Sequence, residues 1–309
     1  LGGLVKKVLL ADPMGQIVAP VFREPDAYSG LSIILGGACF SLQVYCDFSG
    51  YTDIARGCAF LLGFDIPENF SAPFFARSAR ELWQRWHITL ATWLRDYLYI
   101  PLGGSRRSEV RNHLNLIITF TLGGFWHGAD ISYILWGFFW GALLSLERFL
   151  ENNMGWKTTP EKSRAGMVLK GMFMFLLFSI GALFFRTQPV RFADHSYTTW
   201  QMLGHVFGGI FTNTDGELLS TIRAAGMDPA QIGMIFGPSA LELRRIGPMD
   251  TIIWMFLALG FFHWVQYSPA RFARFKEQPW LLGAVAALLG GILIPSLVSG
   301  TGQFIYFVF

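Results

Sequence analysis

Three observations predict an all-α fold for this chain, a multi-pass bundle of transmembrane helices. Of its 309 residues, 52% are hydrophobic and 15% are charged, whereas a typical soluble domain has about 25% charged residues. Aromatic residues make up 16% of the chain, and a soluble domain of this size cannot bury so much apolar surface. The third observation is a series of long apolar segments. Soluble, disordered and nucleic-acid-binding classes are therefore excluded.

Seven segments are long enough to cross a bilayer, which takes about 20 mostly apolar residues, or about 17 at least. They are roughly 29–46, 48–64, 112–128, 131–149, 167–185, 251–267 and 280–298. No repeat or linker separates a second domain, so residues 1–309 are predicted to form a single membrane domain. Since the first residue is Leu rather than Met, we expect an N-terminally incomplete chain.

Basic residues in the connections predict an orientation. Segments 101–111, 150–166 and 268–279 each carry three Lys or Arg residues. If spans 112–128 and 131–149 form a hairpin, these segments lie on one side of the membrane. The positive-inside rule makes that side cytoplasmic.

Segment 80–96 is amphipathic rather than uniformly apolar. At 100° per residue, its Leu and Trp side chains share an arc of about 120°. Arg80 and Arg95 lie in the polar remainder, and His87 lies at the border. Such a segment either lies in the membrane interface, with its Trp residues among the headgroups, or lines a wet cavity. In the second case, Arg80 and Arg95 are candidate substrate-binding residues.

Polar side chains also interrupt the apolar segments, where they are costly and often functional. Asp47 lies about 120° around its helix from Asp53 and needs a partner of its own. In segment 112–128, a polar seam contains Asn115 and ends at His127, beside Trp126. Asn115 and Trp126 are therefore candidate substrate-binding residues. Asp47 is equally compatible with a structural ion pair and with a site.

Histidine suits general acid–base chemistry because its reference pKa, about 6.5, is close to neutral pH. His127 has this role or packs as a buried histidine hydrogen-bonded to a neighbouring helix. His87 is its natural companion as base or orienting group. Since no carboxylate or third His stands at metal-ligand spacing, no metal site and no bound cofactor are predicted. We interpret the other four histidines as structural: His113, His195, His205 and His263.

Three stretches of the sequence are distinctive: YCDFSGYTDIARG (45–57), RWHITLATWLRDYLYIPLGG (85–104) and GGFWHG (123–128). Together they resemble the membrane-bound O-acyltransferase family, and most closely its bacterial alginate O-acetylation branch. The resemblance covers essentially the whole chain and implies a membrane-embedded funnel surrounded by amphipathic or re-entrant helices. By motif match it implies that His127 is the catalytic histidine, that His87 is the second histidine and that Asp47 is functional.

The resemblance also implies a reaction. Members pass an acyl group, here expected to be acetyl, from a cytoplasmic thioester donor toward an extracytoplasmic polysaccharide. The donor would be acetyl-CoA or an acylated carrier. The expected partners are membrane lipid, exopolysaccharide machinery and a periplasmic acetyltransferase-type protein. The expected location is the bacterial inner membrane. His127 would take the proton of the acceptor hydroxyl, and His87 would orient His127 or stabilise the oxyanion.

The sequence departs from the family pattern in two places, and two alternative functions stay open. Relatives usually have further N-terminal spans, and many carry a His at the position of Trp140, so activity could differ here. The same fold could instead transfer D-alanine to teichoic acid. A non-catalytic transporter or scaffold for an acyl donor or lipid is the alternative from another class.

Overall fold

A computed structural model describes residues 2–23, 25–28, 30–155, 163–187, 190–191 and 196–212. The α-helices are α1 Gly2–Leu4, α2 Asp12–Arg23, α3 Gly30–Leu61, α4 Ala79–Trp83, α5 Ile88–Leu94, α6 Glu109–His127, α7 Ile131–Met154, α8 Arg164–Arg186 and α9 Thr199–Thr212. Val5–Ala11 and Arg95–Tyr99 are π-helical, and Pro25–Ala27 and Pro73–Phe75 are 3₁₀ turns. Two short strands, β1 Val190–Arg191 and β2 Ser196–Tyr197, pair antiparallel. The all-α prediction is confirmed apart from this pair.

The described residues form two compact units, one from 2–66 and 187–212 and one from 67–186. In the first unit, the N-terminal helices and α9 pack against α3. Helix α3 has 32 residues and is about 48 Å long at 1.5 Å per residue. The prediction of two separate spans at 29–46 and 48–64 is therefore wrong, because no turn interrupts this helix.

In the second unit, α6 and α7 form the expected hairpin and pack closely along their length. Glycines on α7 permit the close approach. A Cβ atom at Gly141 would lie 2.7 Å from the Cα of Ile117, and one at Gly137 would overlap the carbonyl oxygen of Phe120. Helix backbones come this near only where the interface residues are small.

The polar residues of α6 share one face, as predicted, and the structure shows that this face points inward. Asn112, Asn115 and Thr119 are buried. In its hydrogen-bonded orientation, the Asn112 amide donates to Tyr99 Oη (2.7 Å) and accepts from Arg148 of α7 (3.0 and 2.8 Å). Beyond the first turn of α6, the exposed side chains are instead large and apolar, namely Leu114, Ile118, Leu122, Phe125 and Trp126. This polarity is the reverse of that on a helix at the surface of a soluble protein.

Among the described helices, two are long and apolar enough to cross a membrane, within Ser32–Leu61 and Ala165–Arg186. The prediction of about seven spans is therefore not confirmed. Two of the predicted spans, 251–267 and 280–298, lie outside the described residues.

Segment 80–96 does not form one amphipathic helix, so that interpretation is wrong. Helix α4 ends at Trp83, and α5 begins at Ile88 after a turn. The break lets two indoles pack in different places: Trp83 contacts Trp140 of α7, at 5.5 Å between ring centroids, and Trp86 contacts Phe178 of α8, at 4.7 Å. Trp93, predicted on the same face, is half exposed.

Candidate active site

His127 is the last residue of α6 and lies among four aromatic rings of the second unit. The ring centroids of Trp126, Trp136 and Phe185 lie 4.9, 5.2 and 5.1 Å from the imidazole centroid. Tyr133 stacks on the imidazole at 6.2 Å, with 30° between the ring planes. These rings come from α6, α7 and α8 and fix the position of the imidazole. They also partly exclude water from it.

His87 occupies the turn between α4 and α5 in a left-handed backbone conformation, with φ 44° and ψ 53°. This conformation costs an L-residue about 1–2 kcal/mol, and such strain is typical of functional sites. Asn69 stabilises it, because the Ile88 N–H donates to the Asn69 carbonyl oxygen at 3.0 Å. The backbone of the preceding turn is held in the same way, by the Ser71 N–H donating to the Arg85 carbonyl oxygen at 2.9 Å.

The side chain of Asn69 sets the tautomer of His87. Asn69 Oδ1 accepts hydrogen bonds from the backbone N–H of Thr89 (3.2 Å) and from the Thr89 hydroxyl (3.0 Å). His87 Nδ1 lies 3.2 Å from the same oxygen. Because a carbonyl oxygen can only accept, Nδ1 carries the proton and donates. In the neutral ring, Nε2 then holds a lone pair.

Both histidines lie near the indole of Trp126. Its ring centroid lies 6.5 Å from that of His87 and 4.9 Å from that of His127. Burial, together with the neighbouring His127, lowers the pKa of His87 to about 3. His87 is therefore neutral near pH 7. Trp126 is itself half exposed, so the pair lies next to accessible surface.

The other three predicted substrate-binding residues lie at different places in the second unit. Asn115 is buried on α6 and donates to the carbonyl oxygen of Gly104 at 3.2 Å. Arg80 is exposed at the start of α4 and pairs with Glu151 at 2.5 Å. Arg95 is exposed and pairs with its neighbour Asp96 at 2.7 Å. Their assignment to substrate binding stays a prediction.

Asp47 is buried in the first unit, on α3. Lys7 Nζ lies 2.6 Å from its carboxylate and 2.8 Å from Asp12. Lys6 makes a parallel pair with Asp53 at 2.8 Å. The expectation that Asp47 needs its own partner is confirmed, because Lys7 supplies it. A catalytic role for Asp47 stays a prediction.

Trp140, the departure from the family pattern, is completely buried on α7. Its Nε1 has no hydrogen-bond partner among the described residues, and Gly181 of α8 makes room for the ring. In the described part of the chain, no three His, Cys, Asp or Glu side chains cluster closely enough to hold a metal ion.

Two of the remaining histidines have the structural surroundings expected of them. His113 Nδ1 lies 2.8 Å from the Ser145 hydroxyl, between α6 and α7. His205 Nδ1 lies 2.7 Å from the Asp26 carboxylate. His195 and His263 lie outside the described residues.

Sequence reasoning missed Asn69. Its signal in the sequence is weak, because a lone Asn in the stretch ENFSAPFF reads as a turn residue. Only the folded chain brings this Asn next to a histidine 18 positions later.

Comparisons with known proteins agree with the motifs. The sequence model of the membrane-bound O-acyltransferase family matches residues 1–186. The chain is 38% identical over 222 residues to "Probable alginate O-acetylase AlgI" of Pseudomonas putida, covering 72% of this chain and 42% of that protein. It is 42% identical over 146 residues to the peptidoglycan O-acetyltransferase of Helicobacter pylori, covering 47% and 28%. It is 29% identical over 158 residues to the teichoic acid D-alanyltransferase of Bacillus subtilis, covering 48% and 40%. The chain thus spans about two-fifths of the length of the alginate O-acetylation relatives.

Proposed function

Because this chain belongs to the membrane-bound O-acyltransferase family, we propose that it carries the catalytic histidines of a membrane-embedded O-acetyltransferase. The protein passes an acetyl group from a cytoplasmic thioester donor toward hydroxyls of an extracytoplasmic polysaccharide. Identities of about 40% to alginate and peptidoglycan O-acetylation proteins support this proposal. The donor is acetyl-CoA or an acylated carrier, and the acceptor lies on the polysaccharide or on a periplasmic acetyltransferase-type partner.

The observation that carries the proposal is the approach of two histidines to one indole. His87 and His127 come from separate elements of the second unit and both lie near Trp126. A histidine that only fills a core does not require a second histidine in a strained turn nearby. A neutral imidazole whose partner is held by a third group is the usual arrangement of a general base.

In the proposed mechanism, His127 removes the proton from the acceptor hydroxyl while the hydroxyl oxygen attacks the thioester carbonyl carbon. The tetrahedral intermediate collapses, the carbon–sulfur bond breaks, and the imidazolium returns its proton to the leaving thiolate. His87 has a lone pair at Nε2. It therefore acts by accepting a hydrogen bond from an N–H of His127 and so orienting this base. This favours the orienting role over the alternative of oxyanion stabilisation, which requires a donor.

A location in the bacterial inner membrane with several spans is part of the same proposal. The apolar outer surfaces of α6, α7 and α8 support it, because exposed Phe, Leu, Met and Val side chains suit lipid. The basic segments at 101–111 and 150–166 would then lie on the cytoplasmic side.

The test measures O-acetyl ester on polysaccharide in cells expressing the full-length protein or its variants at matched membrane levels. His127→Ala and His87→Ala should each abolish or strongly reduce acetylation. His113→Ala is the control, since it removes a histidine of the same helix that contacts Ser145 instead. Unchanged acetylation in His127→Ala, in cells without a paralogue, would overturn the proposal in favour of a transporter or scaffold.

D-Alanyl transfer to teichoic acid is the second candidate, supported by the 29% identity to the Bacillus subtilis protein. The lower identity and the match over only 48% of this chain make it the weaker one. Incorporation of labelled D-alanine, rather than acetate, into cell-surface polymer would establish it.

A further inference from the structure

A large groove opens on the second unit, and neither His87 nor His127 lines it. It has a volume of about 840 Å³ and is formed by the turn before α4, by α4 itself and by facing parts of α7 and α8. Helices α7 and α8 run antiparallel here: Tyr133 contacts Phe185, with 4.9 Å between ring centroids, and Trp140 contacts Phe178, with 6.0 Å. The C-terminal half of α7 therefore lies beside the N-terminal half of α8.

The groove changes polarity along its length. The end nearest the α7–α8 connection contains Arg80 and Lys170, and Arg77 and Arg85 also line the groove. The side chains that continue the groove along both helices are apolar: Leu143, Leu146 and Leu150 on α7, and Phe173 and Leu177 on α8. A cationic end joined to an apolar channel matches the chemistry of an amphiphile with a negative headgroup.

Protein groups already engage both carboxylates in this lining. Glu81 accepts from the Arg85 guanidinium at 2.9 Å. Glu147 accepts from the backbone N–H of Ala79 at 2.7 Å and so caps α4. Glu151, next to the lining, pairs with Arg80. Four basic side chains of the lining are thus balanced by three carboxylates, so the groove retains a net charge of about one positive unit.

We propose that this groove binds one anionic phospholipid, with its phosphate at the Arg80 and Lys170 end and an acyl chain along α7 and α8. From Leu150 to Leu143 the helix rises about 10 Å, so the apolar walls cover the upper part of an acyl chain. At the phosphate end, Arg80 contacts Glu151, where α7 enters the basic segment 150–166. In the proposed orientation this segment is cytoplasmic, so the phosphate would lie among the anionic headgroups of that leaflet. The proposal is independent of acyl transfer.

The experiment uses the full-length protein, purified and delipidated in detergent. Native mass spectrometry measures binding of dioleoyl-phosphatidylglycerol and of dioleoyl-phosphatidylcholine, with glycerol 1-phosphate as a competitor. We expect phosphatidylglycerol to bind about tenfold more tightly than phosphatidylcholine, because each nearby Lys or Arg favours an anionic lipid. Arg80→Gln combined with Lys170→Gln should remove this preference.

Two further variants keep the result interpretable. Arg106→Gln combined with Arg107→Gln makes the same change in charge outside the groove and should leave the preference intact. Leu146→Trp fills the apolar part at a half-exposed position and should weaken phosphatidylglycerol binding without changing any charge. Unchanged thermal unfolding confirms that each variant is folded.

Three results would overturn the proposal. Equal affinity for the two lipids would mean that the groove does not select an anionic headgroup. Equal loss in the Arg106 and Arg107 control would mean that general surface charge is responsible. Full competition by glycerol 1-phosphate, with normal binding to Leu146→Trp, would identify a phosphate site that holds no acyl chain.

Discussion

Replacing Asn69 with alanine tests whether the strained turn at His87 serves the site. Asn69 Oδ1 is the shared acceptor for His87 Nδ1, the Thr89 N–H and the Thr89 hydroxyl, at 3.2, 3.2 and 3.0 Å. The substitution leaves these donors without that oxygen and frees the imidazole to rotate or change tautomer. Nothing else in the described site is removed, because the Asn69 side chain reaches the reaction only through His87.

The magnitude follows from these contacts. Each hydrogen bond contributes about 0.5–1.5 kcal/mol, so Asn69→Ala should lower the free energy of unfolding by about 2–4 kcal/mol. Misplacing a group that orients the base costs up to about 10²-fold in rate. We therefore expect kcat for acetyl transfer by the full-length protein to fall between about tenfold and 10²-fold, with KM for the donor nearly unchanged.

Asn69→Asp separates orientation from stability. It keeps an acceptor at the same place but adds a negative charge, which raises the pKa of His87 above its native value of about 3. Activity should then be near that of wild type at pH 8 and should fall as pH decreases, at a higher pH than in the wild-type enzyme. The reasoning is refuted if Asn69→Ala retains full kcat, or if Asn69→Asp has the same pH profile as Asn69→Ala.

Three further predictions concern stability, measured by thermal unfolding in detergent. Gly137→Ala should destabilise the protein by about 1–3 kcal/mol, because its Cβ would overlap the Phe120 carbonyl. Gly171→Ala should not, because a Cβ there makes only an ordinary contact with the Phe74 carbonyl oxygen at 3.9 Å. Lys7→Met should lower the free energy of unfolding by about 3 kcal/mol. The double change Lys7→Met with Asp47→Asn should lower it by less than the sum of the two single changes. Additive losses would mean that Lys7 and Asp47 do not stabilise each other. Burial lowers the pKa of His87 to about 3, so between pH 3 and 6.5 the unfolded state binds more protons than the folded state. The free energy of unfolding should therefore rise with pH in this range, and it should rise less in His87→Gln.

Periodicity along one helix was enough to predict several features. The polar seam of α6 was predicted correctly, because the spacing of polar residues on a helix fixes which face they share. The α6–α7 hairpin, which the orientation argument assumed, is present. Membership of the family followed from local motifs such as GGFWHG (123–128). These features depend only on residues that are close together in sequence.

Features that depend on distant residues were not predicted. The turn at His87 breaks an apparently regular amphipathic pattern, since Trp83 and Trp86 gain more from separate aromatic contacts than from one continuous helix. Lys7 meets Asp47 across 40 positions, a separation that no local pattern encodes. Continuity of α3 was missed because Asp47 stands between two apolar stretches of the sequence, although its side chain is buried within an unbroken helix.

The inward polar seam of α6 has a consequence for biogenesis. A nascent α6 released alone into lipid would expose Asn112, Asn115 and Thr119 to hydrocarbon, an environment in which unpaired amides and hydroxyls are costly. The groups that pair with this face mostly precede α6 in the chain: Asn112 bonds Tyr99 Oη and Asn115 donates to the Gly104 carbonyl oxygen, while Arg148 of α7 adds a contact to Asn112. We therefore expect residues 99–104 to fold against the seam as α6 enters the bilayer, so that its amides are paired before α7 is complete.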